Sequence, residues 1–361
     1  MTDNIFDRLR KLLETSGPVN WDLAREIAES VAGDAEPVEP WVAEELEELT
    51  HTAALRVAAA TPLAASPGTV RALDRRGWAA ASVTGYAYLA EPLAERMSGA
   101  AGDPLLAQLG PAMLGMQMGS MVGAMSHRVL ATFDAGLPPV GAGIPTFVVP
   151  NVEGFAAEHG LDVRQARLWI ALHEVVHHAE MALPWVRPHL GGLVARFVDG
   201  LQLDPASLEE RLGGIEDPER LQRLFEDPSG LTGLLAGPDQ EPVLTEIRAF
   251  MALLEGYAEF LLERSATGML PDGGRLREAI DRRRAEPSAG EQVLQRMLGL
   301  DLEHHRYRRG AAFCNEVARR WGEDTLHRVW EGPDLLPTED ELEDTVGWAA
   351  RVLLDEGPEI T

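Results

Sequence analysis

One stretch, residues 162–183 (DVRQARLWIALHEVVHHAEMAL), limits what this chain can fold into more than any other. Its apolar residues Ala166, Trp169, Ile170 and Val176 recur at helical spacing. Asp162 can cap the start, Gln165 three residues on can complete a capping box, and Pro184 marks the end. Inside this helix stand His173, Glu174 and His177, an HExxH pattern. Four residues of helix turn through about 400°, so the two histidines stand one above the other and can give two imidazole nitrogens to one metal ion. Glu174 lies beside them. In a metallohydrolase it is the base that takes a proton from water activated by the ion and passes it to the leaving group. The competing view is a pair of histidines on a solvated face. A helix that sets two His and a Glu on or beside its apolar face instead buries polar groups, at a cost of roughly kcal/mol each unless something pairs with them. His178 points about 100° away from His177 and is expected in a supporting or surface position.

Composition narrows the chemistry. The chain has 361 residues, enough for a large core, and its 58 acidic against 32 basic residues give a formal net charge of -26. Such a charge repels nucleic acid phosphates and anionic lipid surfaces, so neither is an expected partner. The single cysteine, Cys314, excludes an internal disulfide and any thiolate cluster, so a metal must be held by His and carboxylates. The stretch MTDNIFDRLRKLLETSG reads as a short charged amphipathic helix without the apolar core of a signal peptide, which makes a cytoplasmic location the expectation. Leu105 to Met125 is the most apolar run, but Gln108, Gln117 and Ser120 interrupt it, so it reads as a buried helix and not a membrane span.

The pattern is mainly α throughout. Helices are expected in residues 1–60, including Trp21 to Glu26 and a long acidic one from Pro40 to Ala60, then over 69–98 through Val70, Leu73, Trp78 and Tyr86, and again from Pro104. In GPAMLGMQMGSMVGAMSHRVLATFD, Gly115, Gly119 and Gly123 stand four apart. Each costs up to about 1 kcal/mol of helix propensity, so close packing of another helix explains them better than a methionine metal site. Residues 146–152 (TFVVPNV) are the best strand candidate, and an edge strand there would suit a substrate backbone. Residues 190–244 read as an insertion or lid of short helices. Regular structure returns over 245–264, followed by a charged helix whose Arg282, Arg283 and Arg284 read as a solvated, salt-bridged face. Later helices are expected at 290–299, 301–321 and 339–354, the last opened by a Thr338 and Glu341 capping box. The organisation is one unit over 1–361: an N-terminal helical part (1–135), the strand and HExxH helix (136–189), the insertion (190–244), and the third-ligand and C-terminal helices (245–361).

A catalytic zinc takes three protein ligands and keeps one position open, so two histidines leave one ligand to find. The 245–264 helix offers carboxylates: in LEGYAEF, Glu255 and Glu259 share a face, and Gly256 lets a facing helix approach. HExxH followed by such a segment resembles the glutamate-type zincins. That resemblance implies Glu255 as the third metal ligand. It also implies Glu259 as the acid that hydrogen-bonds the first motif histidine and fixes its tautomer, a role expected on physical grounds as well. No histidine follows in the HExxHxxGxxH position, which excludes the metzincin pattern.

The resemblance covers most of the chain. In order, PVNWDLAREIA, SHRVLATFD, FVVPNVEGFA, HEVVHH, LLEGYAEF, LGLDLEHHRYRRGAAFC and LLPTEDEL resemble the zincin-like hydrolase or zinc-dependent metalloprotease family of actinobacteria and relatives, in part associated by name with deazaflavin cofactor biosynthesis. It implies a mainly α zincin-like metallopeptidase fold with a small β element near 146–149, and one zinc per chain. An oxyanion donor is still needed, for which Tyr307, His304, His305 and Tyr257 are the candidates, Tyr307 first. The expected function is zinc-dependent hydrolysis of a peptide or other amide bond, with Glu174 and Tyr307 catalytic. A scaffold protein without useful turnover and a hydrolase of a small non-peptide amide in cofactor metabolism are the alternatives.

Overall fold

The computed structural model describes residues 17–64, 68–100, 104–134, 138–139, 143–201, 240–286, 292 and 304–354, without the side chains of 99, 100, 104–109 and 304–307. The helix expected before residue 17, all but residue 292 of the one over 290–299, and residues 202–239 of the 190–244 stretch lie outside the described residues. The described chain is mainly helical, with one two-stranded sheet. We number its elements α1 (Trp21–Ala32), α2 (Pro40–Ala58), β1 (Arg71–Leu73), α3 (Arg75–Ser82), α4 (Ala87–Ala100), α5 (Pro104–Met125), β2 (Thr146–Val148), α6 (Val149–Glu158), α7 (Val163–Met181), α8 (Val186–Asp199), α9 (Glu241–Ser265), α10 (Gly273–Arg284), α11 (His304–Trp321), α12 (Glu323–His327) and α13 (Thr345–Leu354).

Two helices form the centre. From Ala166 to Met181 every residue of α7 except His178 is buried, so the helix is enclosed on all sides. It packs against α2, α6 and α9, and α9 in turn packs along α11. The α9 and α11 axes come close because glycines meet: a Cβ on Gly256 or on Gly310 would overlap the backbone of the facing helix. The same device joins α5 to α1, where a Cβ on Gly115, Gly119 or Gly123 would run into Asn20, Ala24 or Val31. The glycine spacing is therefore a packing feature. Among the described residues no helix is long and apolar enough to cross a membrane.

Several local expectations gave way to longer-range contacts. Residues 71–73 form a strand instead of continuing a helix, because they pair in parallel with 146–148 (Arg71 with Thr146, Leu73 with Val148). Asp74 then caps α3 by accepting from the Gly77 amide at 2.7 Å. The strand ends at Val148, and Val149-Pro150 starts a helix, with proline in the first turn where its missing N–H costs nothing. Asp162 caps α7 as expected, accepting from the Gln165 amide at 2.8 Å, but the Gln165 side chain accepts from the Asp272 amide (3.0 Å), tying α7 to the start of α10 instead of closing a box. Thr338 and Glu341 do make both capping-box bonds (3.0 and 3.2 Å), yet they close a turn, and α13 starts at Thr345 under Asp344.

Candidate metal centre

The middle of α7 faces the middle of α9. One ligand atom each from His173, His177 and Glu255 lie within 4.8 Å of one another, and all three residues are buried. The two Nε2 atoms stand 3.2 Å apart, and each is 3.7 Å from a different oxygen of Glu255. Three donors about 2.0–2.1 Å from one ion at tetrahedral angles stand roughly 3.3 Å from each other, so the two Nε2 atoms are at the spacing an ion requires and the carboxylate lies alongside them with one oxygen toward each. The rings are held from behind. Trp169 stacks on His173 at 5.6 Å and 12°, and Phe133 lies against His177 at 5.5 Å. His177 donates its Nδ1 proton to Glu180 Oε2 at 2.7 Å, which leaves the Nε2 lone pair facing Glu255.

The polar accounting points the same way. Among buried side-chain atoms without a hydrogen-bond partner are Glu174 Oε2 and Glu180 Oε1, carboxylate oxygens at one place, and beside them Glu255 Oε2 meets only the ion pair with Arg284 at 3.2 Å. Buried acceptors in such density call for a cation. The burial of Glu174, which is complete, pushes its carboxyl up to about 8, against the amide of Phe133, which donates to Oε1 at 2.7 Å. Burial also raises Glu180 to about 7, with the His177 bond opposing. Glu255 goes the other way: burial would raise it, but the Arg284 guanidinium and the two imidazoles outweigh that effect and hold it below the usual carboxylate range. His178, mostly buried, is lowered to about 4 by desolvation and by His177, and its Nε2 lies 3.8 Å from Glu174 Oε2. These residues can bind one metal ion and place a carboxylate next to it.

The chain over residues 19–349 matches the model of the zincin-like metallopeptidases. The chain belongs to that family. Among solved structures, this zincin-like chain is similar to a candidate hydrolase with a novel fold from Chloroflexus aurantiacus, at 26% identity and a TM-score of 0.67, over 92% of this chain and 98% of that one. No curated protein matches the chain significantly.

Two expectations for this zincin-like site are corrected by its geometry. Glu259 makes no hydrogen bond to His173; one helical turn beyond Glu255, it faces Arg277 and Arg284, and burial raises its carboxyl. The carboxylate that does bond a motif histidine is Glu180, on His177. The signal for it was local, since Glu180 follows His177 by three residues on the same helix. The other correction concerns the arginine run. Arg282 pairs with Glu278 on the surface as expected, but Arg283 is drawn inward onto Asp134 and Arg284 reaches Glu255 and His173. Tyr257, one of the oxyanion candidates, points away from Glu255: its hydroxyl bonds Thr61 at 2.7 Å and His327 at 2.8 Å, beside a cleft of about 590 Å³ whose lining contains none of His173, His177 and Glu255. Tyr307, His304 and His305 fall in the first turn of α11, where side chains lie outside the described residues.

Proposed function

We propose that this chain is a zinc-dependent hydrolase, a metallopeptidase attacking a peptide or other amide bond, with His173, His177 and Glu255 as the ligands of one zinc. The observation that carries the proposal is the convergence of two imidazole Nε2 atoms and the Glu255 carboxylate within 4.8 Å, beside a fully buried glutamate with one unpartnered oxygen. When bound, zinc in such a site acts as a Lewis acid and lowers the pKa of water. The rest falls to the chain. The Phe133 amide fixes one oxygen of Glu174, so the other is oriented to take a proton from the attacking water and hand it to the leaving nitrogen. Glu180 keeps a proton on His177 Nδ1 and so keeps the Nε2 lone pair turned inward. Trp169 and Phe133 shut water out behind the rings. Tyr307 is assigned to the developing oxyanion.

A cavity of about 540 Å³ opens beside the start of β2, lined in part by Thr132, Ile144 and Thr146. Thr132 also faces Glu174, so this residue stands between the cavity and the base. One observation favours the second reading, a hydrolase of a small non-peptide amide: β2 has no free edge. It pairs with β1 on one side, and on the other Phe147 bridges Ala131 while the Val148 amide donates to Leu130 O at 2.9 Å. A peptide therefore cannot add to it as a strand.

The deciding measurement is metal content per chain, by elemental analysis after purification without added metal. About one zinc in wild type and far less in Glu255→Ala is expected. Absence of metal from wild type even after zinc is offered would overturn both hydrolase readings.

A further inference from the structure

The guanidinium of Arg284 stands inside the ligand cluster. Its Nη2 lies 3.0 Å from His173 Nε2 and 3.2 Å from Glu255 Oε2, and only 18% of its side chain is exposed. Those are the two atoms through which His173 and Glu255 face each other, 3.7 Å apart. A guanidinium N–H on His173 Nε2 uses the same lone pair that coordination of a metal uses, and one lone pair cannot serve both. We infer that Arg284 is a resident cation that competes with the metal: it holds His173 and Glu255 together in the metal-free chain, and it must leave His173 Nε2 for an ion to bind. The inference rests on the reading of the cluster as a metal centre.

Arg284 is not a stray surface side chain. The residue before it is riveted to the loop that holds the base. Arg283 donates both terminal nitrogens to Asp134 (2.9 and 2.6 Å) and one of them also to Arg128 O, while Arg128 returns a bond to Arg283 O at 2.8 Å. Asp134 also accepts from the Leu130 amide at 2.8 Å, and its neighbour Phe133 supplies the amide that holds Glu174. The last turn of α10 is thereby anchored, so a displaced Arg284 side chain stays within reach of the site and can return when the ion leaves. Such an arrangement keeps three buried carboxyls from facing each other without a counter-charge, and it weakens metal affinity by the strength of the contacts given up.

The test is zinc affinity, by competition with a chromophoric chelator, together with the thermal midpoint of the metal-free chain, for wild type, Arg284→Met, Arg284→Lys and Arg282→Ala. Charge-assisted hydrogen bonds of this kind convert to roughly a ten- to a hundredfold change in binding. Arg284→Met should therefore bind zinc tighter by about that factor, with a lower metal-free midpoint and a larger rise on zinc addition. Arg284→Lys keeps the charge without the fork and should shift affinity in the same direction by less; it answers the question if the Met variant does not fold. Arg282→Ala removes an equal charge from the surface and should stay within about twofold of wild type. Zinc affinity in Arg284→Met equal to or weaker than a wild type that does bind zinc would overturn this inference alone. If neither binds zinc, the metal reading itself falls and this inference with it.

Discussion

Helix α7 carries two buried polar clusters two turns apart, and they are built on opposite principles. Near its start Arg167, only 2% exposed, is fully answered: it donates to Glu153 and Glu45, Trp41 lies 5.0 Å from its guanidinium, and Arg164 shares Glu45 at 2.5 Å. In the middle, around His173, Glu174 and His177, the buried oxygens Glu174 Oε2 and Glu180 Oε1 find no hydrogen-bond partner, and Glu255 Oε2 from α9 meets only Arg284. The first cluster is complete within the protein and ties α7 to α2 and α6. The second is answered only in part, by Arg284 on Glu255 and His173. A paired buried charge reads as architecture, and a converging, under-paired one as a site.

Substitutions at the two clusters should therefore have opposite signatures. The largest effect is expected at Glu174. Glu174→Gln should keep its zinc, lose roughly two to four orders of magnitude in hydrolysis, and leave the metal-free chain as stable or more so, since it removes a buried carboxyl with an unpartnered oxygen. Retained hydrolysis would remove Glu174 from the base role. Next is Glu180→Gln, which weakens the partner of His177 Nδ1; zinc affinity should fall by about ten- to a hundredfold, as read by chelator competition. A change no larger than that of Glu259→Gln would mean that Glu180 only fills space.

At the other cluster, Arg167→Met should cost about 1–3 kcal/mol in denaturant unfolding, below the usual figure for a broken buried pair because Glu153 is itself 41% exposed. Zinc content should be unchanged; a loss of metal would show that the two clusters are coupled through α7. The smallest effect is in pH. Burial acts to raise the Glu45 carboxyl, but Arg167 and Arg164 outweigh it and lower its pKa below the unfolded value. Its contribution is thus fully present above the unfolded pKa near about 4.5 and lost as pH falls through the folded value. The stability difference between wild type and Glu45→Gln should shrink over that acid range and stay constant above it.

Much of the centre was legible along the chain. The HExxH spacing, the Asp162 cap, the distant helix with Glu255 and the close-approach glycine at Gly256 are all local patterns, and each stands where its pattern implied. What was not legible depended on partners far away in sequence. Nothing near residues 71–73 indicates that they pair with 146–148, and three consecutive arginines carry no address. Their three fates, Glu278 on the surface, Asp134 inside and Glu255 at the candidate site, follow from where α10 docks. Likewise the Thr338 and Glu341 box has all the right residues, but it serves a turn, since hydrogen bonds between neighbours do not specify how far a helix continues.

By itself, then, the sequence determined a mainly helical chain with a pair of histidines and a glutamate on one helix and a candidate third ligand on another. Those features rest on the fixed geometry of 3.6 residues per turn and on the donor chemistry of the side chains, both of which act within a few residues. Only the tertiary structure decided that the two helices meet face to face, that Glu259 turns to Arg277 and Arg284 and not to His173, and that Arg284 stands between His173 and Glu255. Those outcomes depend on crossings between elements more than a hundred residues apart in places, where packing and the pairing of buried charge, not local propensity, select the contact.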